Sequence, residues 1–461
     1  MSKLCFSNLK LKPELLSTLA SLNFSEMTPI QAQSLPYVLS GKDVIAQGKT
    51  GSGKTAAFGL GILQNLNVKQ FRIQSMVLCP TRELADQVAK EIRTLARGIH
   101  NIKVLTLCGG TPMGPQIGSL EHGAHIIVGT PGRILDHLDR GRVNLDNLNT
   151  LVLDEADKML EMGFQDAIDA IIECAPVNRQ SLLFSATYPD QIKWIAGKLL
   201  REPEMVKVES THAESAIAQH FYAIEDLDHR LLALQLLLKR EKPQSTVVFC
   251  NTKVETNQVT DYLISQGFVA KALNGDLEQK DRDQTLVRFA NKSVSILVAT
   301  DVASRGLDIE KLDAVINFNL AHDPDTHVHR IGRTGRAGSK GASFSLFSHK
   351  DSNKLVDIED YMKISIEESP LPNEDVLIEP AFTPEFATLR VDGGKKQKVR
   401  AGDLLGALTG KNGIEGKQVG KINIFDYCAY VAINKKSAKD ALKKMENGKI
   451  KGRSFRVWRV R

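Results

Sequence analysis

The sequence predicts an α/β protein in which two doubly wound parallel-sheet domains are followed by a small α+β domain. Short, continuous apolar runs alternate with amphipathic segments over roughly the first 350 residues, as expected for strands buried on both faces of a parallel sheet. The alternation pauses in the polar stretch 203–218, and after residue 370 the chain becomes proline-rich and then basic. We therefore predict domains at 1–208, 219–368 and 381–461, with a linker at 369–380.

The strands of the two large domains are predicted where apolar runs are too short to form helices. The runs are 43–47, 75–80, 125–130, 150–157 and 181–187 in the first domain, and 245–252, 295–301, 313–320 and 342–347 in the second. The segment 81–96, TRELADQVAKEIRTLA, is amphipathic and supplies a typical crossover helix. Repeated strand and helix units of this kind build a parallel sheet.

Residues 381–461 have a different order of elements. Strands are predicted at 387–393, 421–425, 428–433 and 454–460, and helices at 401–410 and 437–446. The resulting order, β-α-β-β-α-β, is that of an RNA-recognition-motif (RRM) domain. On the third strand Ala429, Val431 and Ile433 keep the core-facing positions, because successive strand residues alternate between faces.

The charge of the chain is concentrated at one end. Residues 381–461 contain 19 Lys and Arg against 7 Asp and Glu, although the net charge of the whole chain is only +6. A basic segment that also contains apolar strand patterns indicates a polyanionic partner, and nucleic acid is the first candidate. The alternative is a solvated tail that only keeps the protein soluble.

The cysteines and the hydropathy pattern indicate the compartment. The six cysteines are scattered without a C-x-x-C pair, which argues against a zinc site or a disulfide framework and favours a reducing environment. There is no signal-like start and no run of about eighteen apolar residues. We therefore expect a cytoplasmic protein without a membrane partner.

Residues 46–55, AQGKTGSGKT, carry a phosphate-binding pattern. They follow a predicted strand and precede a predicted helix, which is the context in which G-x-x-x-x-G-K-T cradles phosphates. Gly48, Gly51 and Gly53 allow backbone N–H groups to point at phosphate oxygens beside a helix N-terminus. Lys54 would reach the β and γ phosphates, and Thr55 would bind Mg²⁺. Taken alone, the pattern could also be a chance glycine-rich turn.

Three carboxylates, Asp154, Glu155 and Asp157, follow the strand that ends at residue 153. Because the carboxyl end of this strand lies beside the phosphate loop in such a sheet, Asp154 is a candidate to hold Mg²⁺ through water. Glu155 would then orient and deprotonate an attacking water. The alternative is a group of acids that only stabilises a helix N-terminus.

The motifs DEAD at 154–157, SAT at 185–187 and HRIGRTGR at 329–336 occur in the order typical of DEAD-box RNA helicases. The resemblance extends over roughly residues 5–350 and implies two RecA-like domains that hydrolyse ATP and close around RNA. It places the following residues at the ATP site: Phe6, Gln31, Gly48, Lys49, Thr50, Gly51, Ser52, Gly53, Lys54, Thr55, Gly306 and Asp308. Phe6 would stack on adenine, Gln31 would read its edge, and Asp308 would bind the ribose.

The same resemblance implies catalytic or coupling roles for Lys54, Asp154, Glu155, Asp157, Ser185, Thr187, His329, Arg333 and Arg336. Arg333 and Arg336 resemble arginine fingers, which neutralise the charge on a phosphoryl group during transfer. His329 would link to Ser185 and Thr187 and so couple the RNA and ATP sites. The alternative for His329 is a passive hydrogen-bonding residue.

The RNA contacts implied by the resemblance come from both large domains. They are Arg82, Gly110, Thr130, Arg133, Thr252, Gly275, Thr300, Asp301 and Arg305. Guanidinium, hydroxyl and backbone amide groups bind phosphate without reading bases. We therefore expect the two large domains to bind RNA of any sequence.

The sheet of the third domain lacks most of the aromatic residues that stack on bases. On the outward face of its third strand only Tyr430 is aromatic, beside Asp426 and Cys428, and the first strand carries Arg390. Such a sheet cannot stack two or three bases in the usual way. We therefore expect RNA contacts mainly in basic loops, at Lys395, Lys396, Lys398, Arg400, Lys417, Tyr430, Lys449, Lys451 and Arg453. The alternative is a structural relic or a protein-binding module.

The third domain also resembles the C-terminal domain of a bacterial group of DEAD-box helicases, through VDGGKKQKVRAGDLLGALTG at 391–410 and GKIKGR at 448–453. The resemblance implies binding to hairpin 92 of 23S rRNA and to assembly intermediates of the large ribosomal subunit. We predict a monomeric ATP-dependent RNA helicase with ATP and Mg²⁺ as cofactors and no DNA partner. The alternatives are an ATP-gated RNA clamp, a general RNA chaperone without 23S specificity, and a DNA-directed motor.

Overall fold

The computed structural model describes residues 5–48, 51–208, 217–304, 312–335, 341–411 and 413–460. Contacts divide the described chain into two compact units, which separate in sequence between residues 208 and 217. The N-terminal unit is the first large domain, and the C-terminal unit contains the second large domain and the basic third domain. No helix in these ranges is both long enough and apolar enough to cross a membrane.

The N-terminal unit is a parallel sheet with helices on both faces. Its described strands are β1 (Val44–Gln47), β2 (Ser75–Leu78), β3 (Val104–Leu107), β4 (Ile126–Gly129), β5 (Thr150–Asp154), β6 (Gln180–Ser185) and β7 (Glu204–Lys207). Its described helices are α1 (Pro13–Ser21), α2 (Pro29–Leu39), α3 (Lys54–Asn65), α4 (Arg82–Leu95), α5 (Met113–Glu121), α6 (Pro131–Asp139), α7 (Ala156–Glu161), α8 (Gln165–Cys174) and α9 (Asp190–Leu199). The strand order is β3-β4-β2-β5-β6-β1-β7. Val44 and Ala46 enter one apolar cluster and Ile45 enters another, so both faces are buried, as a doubly wound sheet requires.

The second large domain repeats this architecture. Its described strands are β8 (Ile217–Ala223), β9 (Thr246–Phe249), β10 (Ala270–Leu273), β11 (Ile296–Ala299), β12 (Ala314–Asn317) and β13 (Gly341–Phe347). Its described helices are α10 (Leu227–Glu241), α11 (Lys253–Ser265), α12 (Gln279–Ala290), α13 (Asp301–Ser304), α14 (Pro324–Ile331) and α15 (Ser352–Met362). The strands are parallel in the order β10-β11-β9-β12-β13-β8, which places β9, β10 and β11 side by side.

Each strand predicted for the two large domains is present, but four further strands were not predicted. These are β3, β7, β8 and β10, and each lies at an edge of its sheet. The supposed pause at 203–218 in fact contains β7, whose residues range from buried to exposed. Edge strands are half covered and so lack the continuous apolar run of a central strand.

The predicted linker packs along the second large domain. Lys239 Nζ donates to the backbone carbonyls of Leu377 at 2.8 Å and Glu379 at 2.5 Å. The ring of Phe382 meets that of Phe268 edge-on, with centroids 5.5 Å apart. The segment therefore attaches the third domain to the second through specific contacts.

The third domain has the predicted β-α-β-β-α-β order. Its elements are β14 (Phe386–Val391), α16 (Ala401–Thr409), β15 (Val419–Ile424), β16 (Ala429–Asn434), α17 (Ala438–Asn447) and β17 (Val457–Arg459). The strands form an antiparallel sheet in the order β15-β16-β14-β17. One face, with Leu389, Val431 and Ile433, is part of a core that also contains residues of α16 and α17. The predicted fold class is confirmed.

Candidate functional site

The loop after β1 has the geometry of an anion-binding loop. Gly51 and Gly53 have φ values of +79° and +92°, which favour glycine because a Cβ would be strained there. Lys54 begins α3, is 6% exposed, and donates from Nζ to the Gly48 carbonyl at 2.7 Å. Ser52 Oγ is buried without a hydrogen-bond partner among the described residues. Lys49 and Thr50 lie outside the described residues.

Gln31 on α2 supports this loop from one side. Its Oε1 accepts from the Thr28 N–H at 2.9 Å, and its Nε2 donates to the Gly53 carbonyl at 3.0 Å. A Cβ added at Gly53 would overlap this amide. Because a side-chain amide offers two N–H donors and two acceptor lone pairs, Gln31 can still donate to and accept from an adenine edge.

Phe6, the predicted stacking residue, is buried in the first domain. Its ring is 3% exposed and belongs to the apolar core of the first domain. A ring that stacks on adenine must present one face to the base. Burial of the apolar ring is favourable in itself, and stacking of Phe6 on adenine stays a prediction.

The buried end of β5 suits a cation. Asp154 is 3% exposed, and its Oδ1 accepts from the Glu155 N–H at 3.1 Å. Burial raises the pKa of Asp154 to about 7, although the charge of Lys54 opposes this shift. A desolvated carboxylate is stabilised by a nearby positive charge, so Asp154 suits a cation such as Mg²⁺; Thr55 is the second residue of α3. Glu155 itself has a left-handed backbone, with φ of 52°, a strained conformation that is common at functional sites.

Asp157 connects the DEAD and SAT motifs. Its Oδ2 accepts from the Thr187 backbone N–H at 3.0 Å and from Thr187 Oγ1 at 2.9 Å. Burial acts to raise the pKa of Asp157, but Lys158 and the hydrogen bonds from Thr187 outweigh it, and the pKa is lowered. Asp157 therefore stays ionised. Ser185 Oγ is buried without a partner in the part of the chain that the structure describes.

The predicted RNA contacts of the first domain lie together at the carboxyl ends of β2, β3 and β4. A Cβ added at Gly110 would overlap the Arg82 guanidinium, so these two residues touch. Thr130 Oγ1 accepts from the Gly109 N–H at 3.4 Å, and Arg133 Nη1 donates to the Thr111 carbonyl at 3.1 Å. Two guanidinium groups, a hydroxyl and a turn of backbone are thus brought close together, which suits phosphate binding.

In the second domain, Thr252, Gly275 and Thr300 follow the adjacent strands β9, β10 and β11, so the fold brings them to one edge of the sheet. Thr252 is exposed and caps α11 by accepting from the Glu255 N–H at 3.1 Å. Gly275 lies beside Lys253, whose Cε would be 3.5 Å from an added Cβ. Arg305, Gly306 and Asp308 lie outside the described residues.

Asp301, one of the predicted RNA contacts, forms an ion pair within the second domain. Its Oδ1 and Oδ2 accept from Nε and Nη2 of Arg330, each at 2.7 Å. Arg330, whose side chain is 1% exposed, also donates to the Asn319 carbonyl at 2.7 Å and to Asn251 Oδ1 at 3.1 Å. A carboxylate used in this way neutralises a buried cation, so Asp301 positions Arg330, and its contact with RNA stays a prediction. Sequence reasoning missed Arg330, although an arginine on the buried side of a helix needs an acidic partner.

The remaining catalytic candidates lie on and after α14. His329 Nδ1 is 3.3 Å from Asp325 Oδ2, and the Arg333 carbonyl accepts from the Leu312 N–H at 3.1 Å. Arg336 lies outside the described residues. The link from His329 to Ser185 and Thr187 would join the two units, and it stays a prediction.

The basic loops of the third domain are exposed, and two of them meet. The Asp392 N–H donates to the Arg456 carbonyl at 3.0 Å, which joins loop 392–400 to loop 448–456. These loops carry the exposed side chains of Lys395, Lys396, Lys398, Arg400, Lys449, Lys451 and Arg453. Lys417 stands apart, before β15, and pairs with Glu415 at 2.7 Å.

Tyr430 is not available for stacking on a base. It is 4% exposed and belongs to an apolar cluster with Val460 and with Val287 of α12, in the second large domain. Its burial raises the pKa of the phenol to about 12. Arg390 covers the same face, with its guanidinium 5.7 Å from the Tyr430 ring centroid and 5.1 Å from that of Trp458. The face that binds bases in other RRM sheets is here covered by protein.

Comparisons with known proteins show what this chain is similar to. Residues 28–195 match the DEAD/DEAH box helicase model, 228–338 the helicase conserved C-terminal domain, and 388–459 the DbpA RNA binding domain. The chain is 53% identical to the ATP-dependent RNA helicase DbpA of Escherichia coli, over 98% of each chain. It is 35% identical to DbpA of Bacillus subtilis, again over 98% of each. Among solved structures, S. cerevisiae Dbp5 bound to RNA and ADP BeF3 matches with a TM-score of 0.72 and 32% identity, over 79% of this chain and 95% of Dbp5.

Proposed function

This chain belongs to the DbpA family of DEAD-box ATP-dependent RNA helicases, and on that premise we propose that it remodels 23S rRNA at hairpin 92 during assembly of the large ribosomal subunit. The observation that carries the proposal is the third domain, which combines a covered sheet face with exposed basic loops and matches the DbpA RNA binding domain. The predicted RNA contacts of the first large domain bind phosphate, so they cannot by themselves distinguish one RNA sequence from another.

ATP hydrolysis is assigned to residues of both units. The loop from Gly48 to Thr55 would hold the phosphates, and Asp154 and Thr55 would hold Mg²⁺. Bound Mg²⁺ would neutralise charge on the β and γ phosphates. Glu155 would orient the attacking water and accept its proton.

Domain closure would complete the site. Arg333 and Arg336 would reach the γ-phosphoryl group from the second domain and stabilise its charge during transfer. The ion pair between Arg330 and Asp301 would keep the loops after β9 and β11 in position for RNA. Because RNA and ATP each need both units, each should raise the affinity for the other.

We also propose that the protein is a monomer and is located in the cytoplasm. Both parts of the ATP site are assigned within a single chain, which supports a monomer. Its cysteines are unpaired thiols, which suits the reducing cytoplasm.

The test is a comparison of RNA-stimulated ATPase rates. We expect a 23S rRNA fragment with hairpin 92 to give half-maximal stimulation at a concentration at least about tenfold lower than the same fragment without it, which is about 1.4 kcal/mol of preference. Single-stranded DNA of the same length should not stimulate. Equal stimulation by the two RNA fragments would refute the hairpin preference, and stimulation by DNA would favour the DNA-directed alternative.

A further inference from the structure

A buried polar network lies behind the predicted RNA contacts of the first large domain. Gln116, on α5, is 8% exposed. Its Nε2 donates to the Cys108 carbonyl at 3.0 Å and to Thr111 Oγ1 at 2.6 Å. Thr111 Oγ1 in turn donates to the Cys108 carbonyl at 2.9 Å. A single buried amide therefore closes the turn 108–111, which lies between β3 and α5.

The oxygen of the same amide faces a buried histidine. His137, on α6, is fully buried, and its Nε2 is 3.0 Å from Gln116 Oε1. Because Gln116 Nε2 already faces two oxygen atoms, Oε1 is the acceptor, and His137 Nε2 must carry the hydrogen. His137 Nδ1 is buried without a hydrogen-bond partner in the ranges that the structure describes. The hydrogen bonds therefore run in one direction, from the imidazole to the amide and from the amide to the turn.

The network joins the two segments that carry predicted RNA contacts. Gly110 lies in the turn and is exposed. Arg133 and His137 are one helical turn apart on α6, so they lie on the same side of that helix. Arg133 Nη1 donates to the Thr111 carbonyl at 3.1 Å. Arg133 thus binds the turn directly, and in the buried layer the bond between His137 and Gln116 holds α6 against α5.

Phosphate groups follow one another along RNA at a limited range of spacings. Residues that bind neighbouring phosphates must therefore be held at a matching separation. Side chains that are buried and hydrogen-bonded fix such separations more precisely than a surface turn can by itself. The alternative is that Gln116 and His137 only satisfy one another and the Cys108 carbonyl within the core.

We propose that Gln116 and His137 are positioning residues, which hold Gly110 and Arg133 in place for the phosphates of RNA. The inference rests on the proposed function, because it assumes that the first large domain binds RNA through Gly110 and Arg133. Gln116 and His137 are themselves buried and act through the turn 108–111 and α6. A positioning role changes the affinity of the folded protein for RNA, whereas a purely structural role changes only its stability.

The experiment measures the RNA-stimulated ATPase of the full chain with the 23S rRNA fragment that lacks hairpin 92. The test variant is His137→Leu, which removes the N–H donor to Gln116. The rescue variant is His137→Gln, because its Nε2 can donate to the same oxygen. The matched control is His122→Leu, the same substitution at an exposed histidine at the end of α5. Chemical denaturation gives the free energy of unfolding of each protein.

We expect the RNA concentration for half-maximal stimulation to rise roughly tenfold in His137→Leu, because a displaced contact is weakened even when the contacting residue is intact. The kcat at saturating RNA should stay within about twofold, because the predicted catalytic residues are unchanged. In His137→Gln and His122→Leu both quantities should stay within about twofold of those of the unmodified protein.

Three results would overturn the proposal. The first is a lowered free energy of unfolding in His137→Leu with an unchanged half-maximal RNA concentration. The second is an equal rise in His137→Leu and His137→Gln, which would show that the ring is needed for packing and not for its hydrogen bond. Gln116→Met is a second test variant, because Met fills a similar space without a polar end, and it should show the same rise as His137→Leu. Failure of both test variants to fold is the third result.

Arg133→Ala, measured in parallel, reports the RNA contact itself. It should raise the half-maximal RNA concentration and lower the slope of log affinity against log salt by about one, because one phosphate contact is lost. An unchanged value would refute the contact that Gln116 and His137 are proposed to position. All of these measurements use RNA without hairpin 92. The proposed function is refuted separately, by equal ATPase stimulation of the unmodified protein with and without the hairpin.

Discussion

The phosphate loop of the first domain and the outward sheet face of the third domain use their polar groups in opposite ways. Around the loop, Ser52 and Ser185 keep buried hydroxyls without protein partners among the described residues, and Asp154 is a buried carboxylate with a raised pKa. On the sheet face, Thr388 is hydrogen-bonded to the second domain and Tyr430 is packed against it. The buried hydroxyls of Ser52 and Ser185 thus have no protein partner among the described residues, whereas the Thr388 hydroxyl of the sheet face is hydrogen-bonded within the protein.

The largest expected effect is that of a substitution at Glu155, in the predicted ATP site of the first domain. Glu155→Gln keeps the size of the side chain and one acceptor oxygen but removes the base. We expect the RNA-stimulated ATPase rate to fall by about 10²–10⁴-fold, while ATP-dependent RNA binding persists. Single-turnover ATPase and equilibrium RNA binding with ATP measure the two properties. Loss of both would show that Glu155 supports the fold and is not the general base.

The sequence predicted the local motifs of the ATP site but not every strand of the fold or the contacts of the third domain. Gly48 to Thr55 and Asp154 to Asp157 were recognised because local chemistry determines which residues can bind phosphate and Mg²⁺. The strands β3, β7, β8 and β10 were missed because they lie at sheet edges, where polar residues interrupt their short apolar runs. The covering of Tyr430 by α12 joins residues that are far apart in sequence, and no local pattern encodes it.

The second prediction concerns Asp301, which forms an ion pair with the buried Arg330. Asp301→Ala leaves the buried Arg330 guanidinium without its carboxylate. We expect the free energy of unfolding of the second domain to fall by about 3–5 kcal/mol, as measured by chemical denaturation. Asp276→Ala is the control, because Asp276 forms an ion pair with Lys253 in which both side chains are largely exposed and such pairs contribute about 0–1 kcal/mol. Similar losses in both variants would contradict the positioning role of Asp301.

The third prediction separates docking from base stacking at Tyr430. Because Tyr430 is buried against α12, Tyr430→Ala should lower the free energy of unfolding by roughly 2–4 kcal/mol. The affinity of the variant for an RNA containing hairpin 92 should stay within about twofold of that of the unmodified protein. Tyr427, which is 64% exposed, provides the matched control, and Tyr427→Ala should leave stability within about 0.5 kcal/mol. A stable Tyr430→Ala protein with weakened hairpin binding would restore the stacking role.

The smallest effect is a pH dependence of the free energy of unfolding, which arises from the buried carboxylate of Asp154. The pKa of Asp154 is about 7 in the folded protein, against an ordinary value of 3.8. Between these values the folded state keeps a proton that the unfolded chain releases, so the free energy of unfolding should decrease as pH rises from about 4 to about 7. We expect this group to lower the free energy of unfolding by at most about 1.4 kcal/mol per pH unit within that range, measured by denaturation of the ATP-free protein. Asp154→Asn, which cannot ionise, should flatten the decrease, whereas Asp157→Asn should not, because the pKa of Asp157 is already lowered. An equally steep decrease in Asp154→Asn would mean that Asp154 is ionised in the unliganded site and that its charge is balanced by the protein itself.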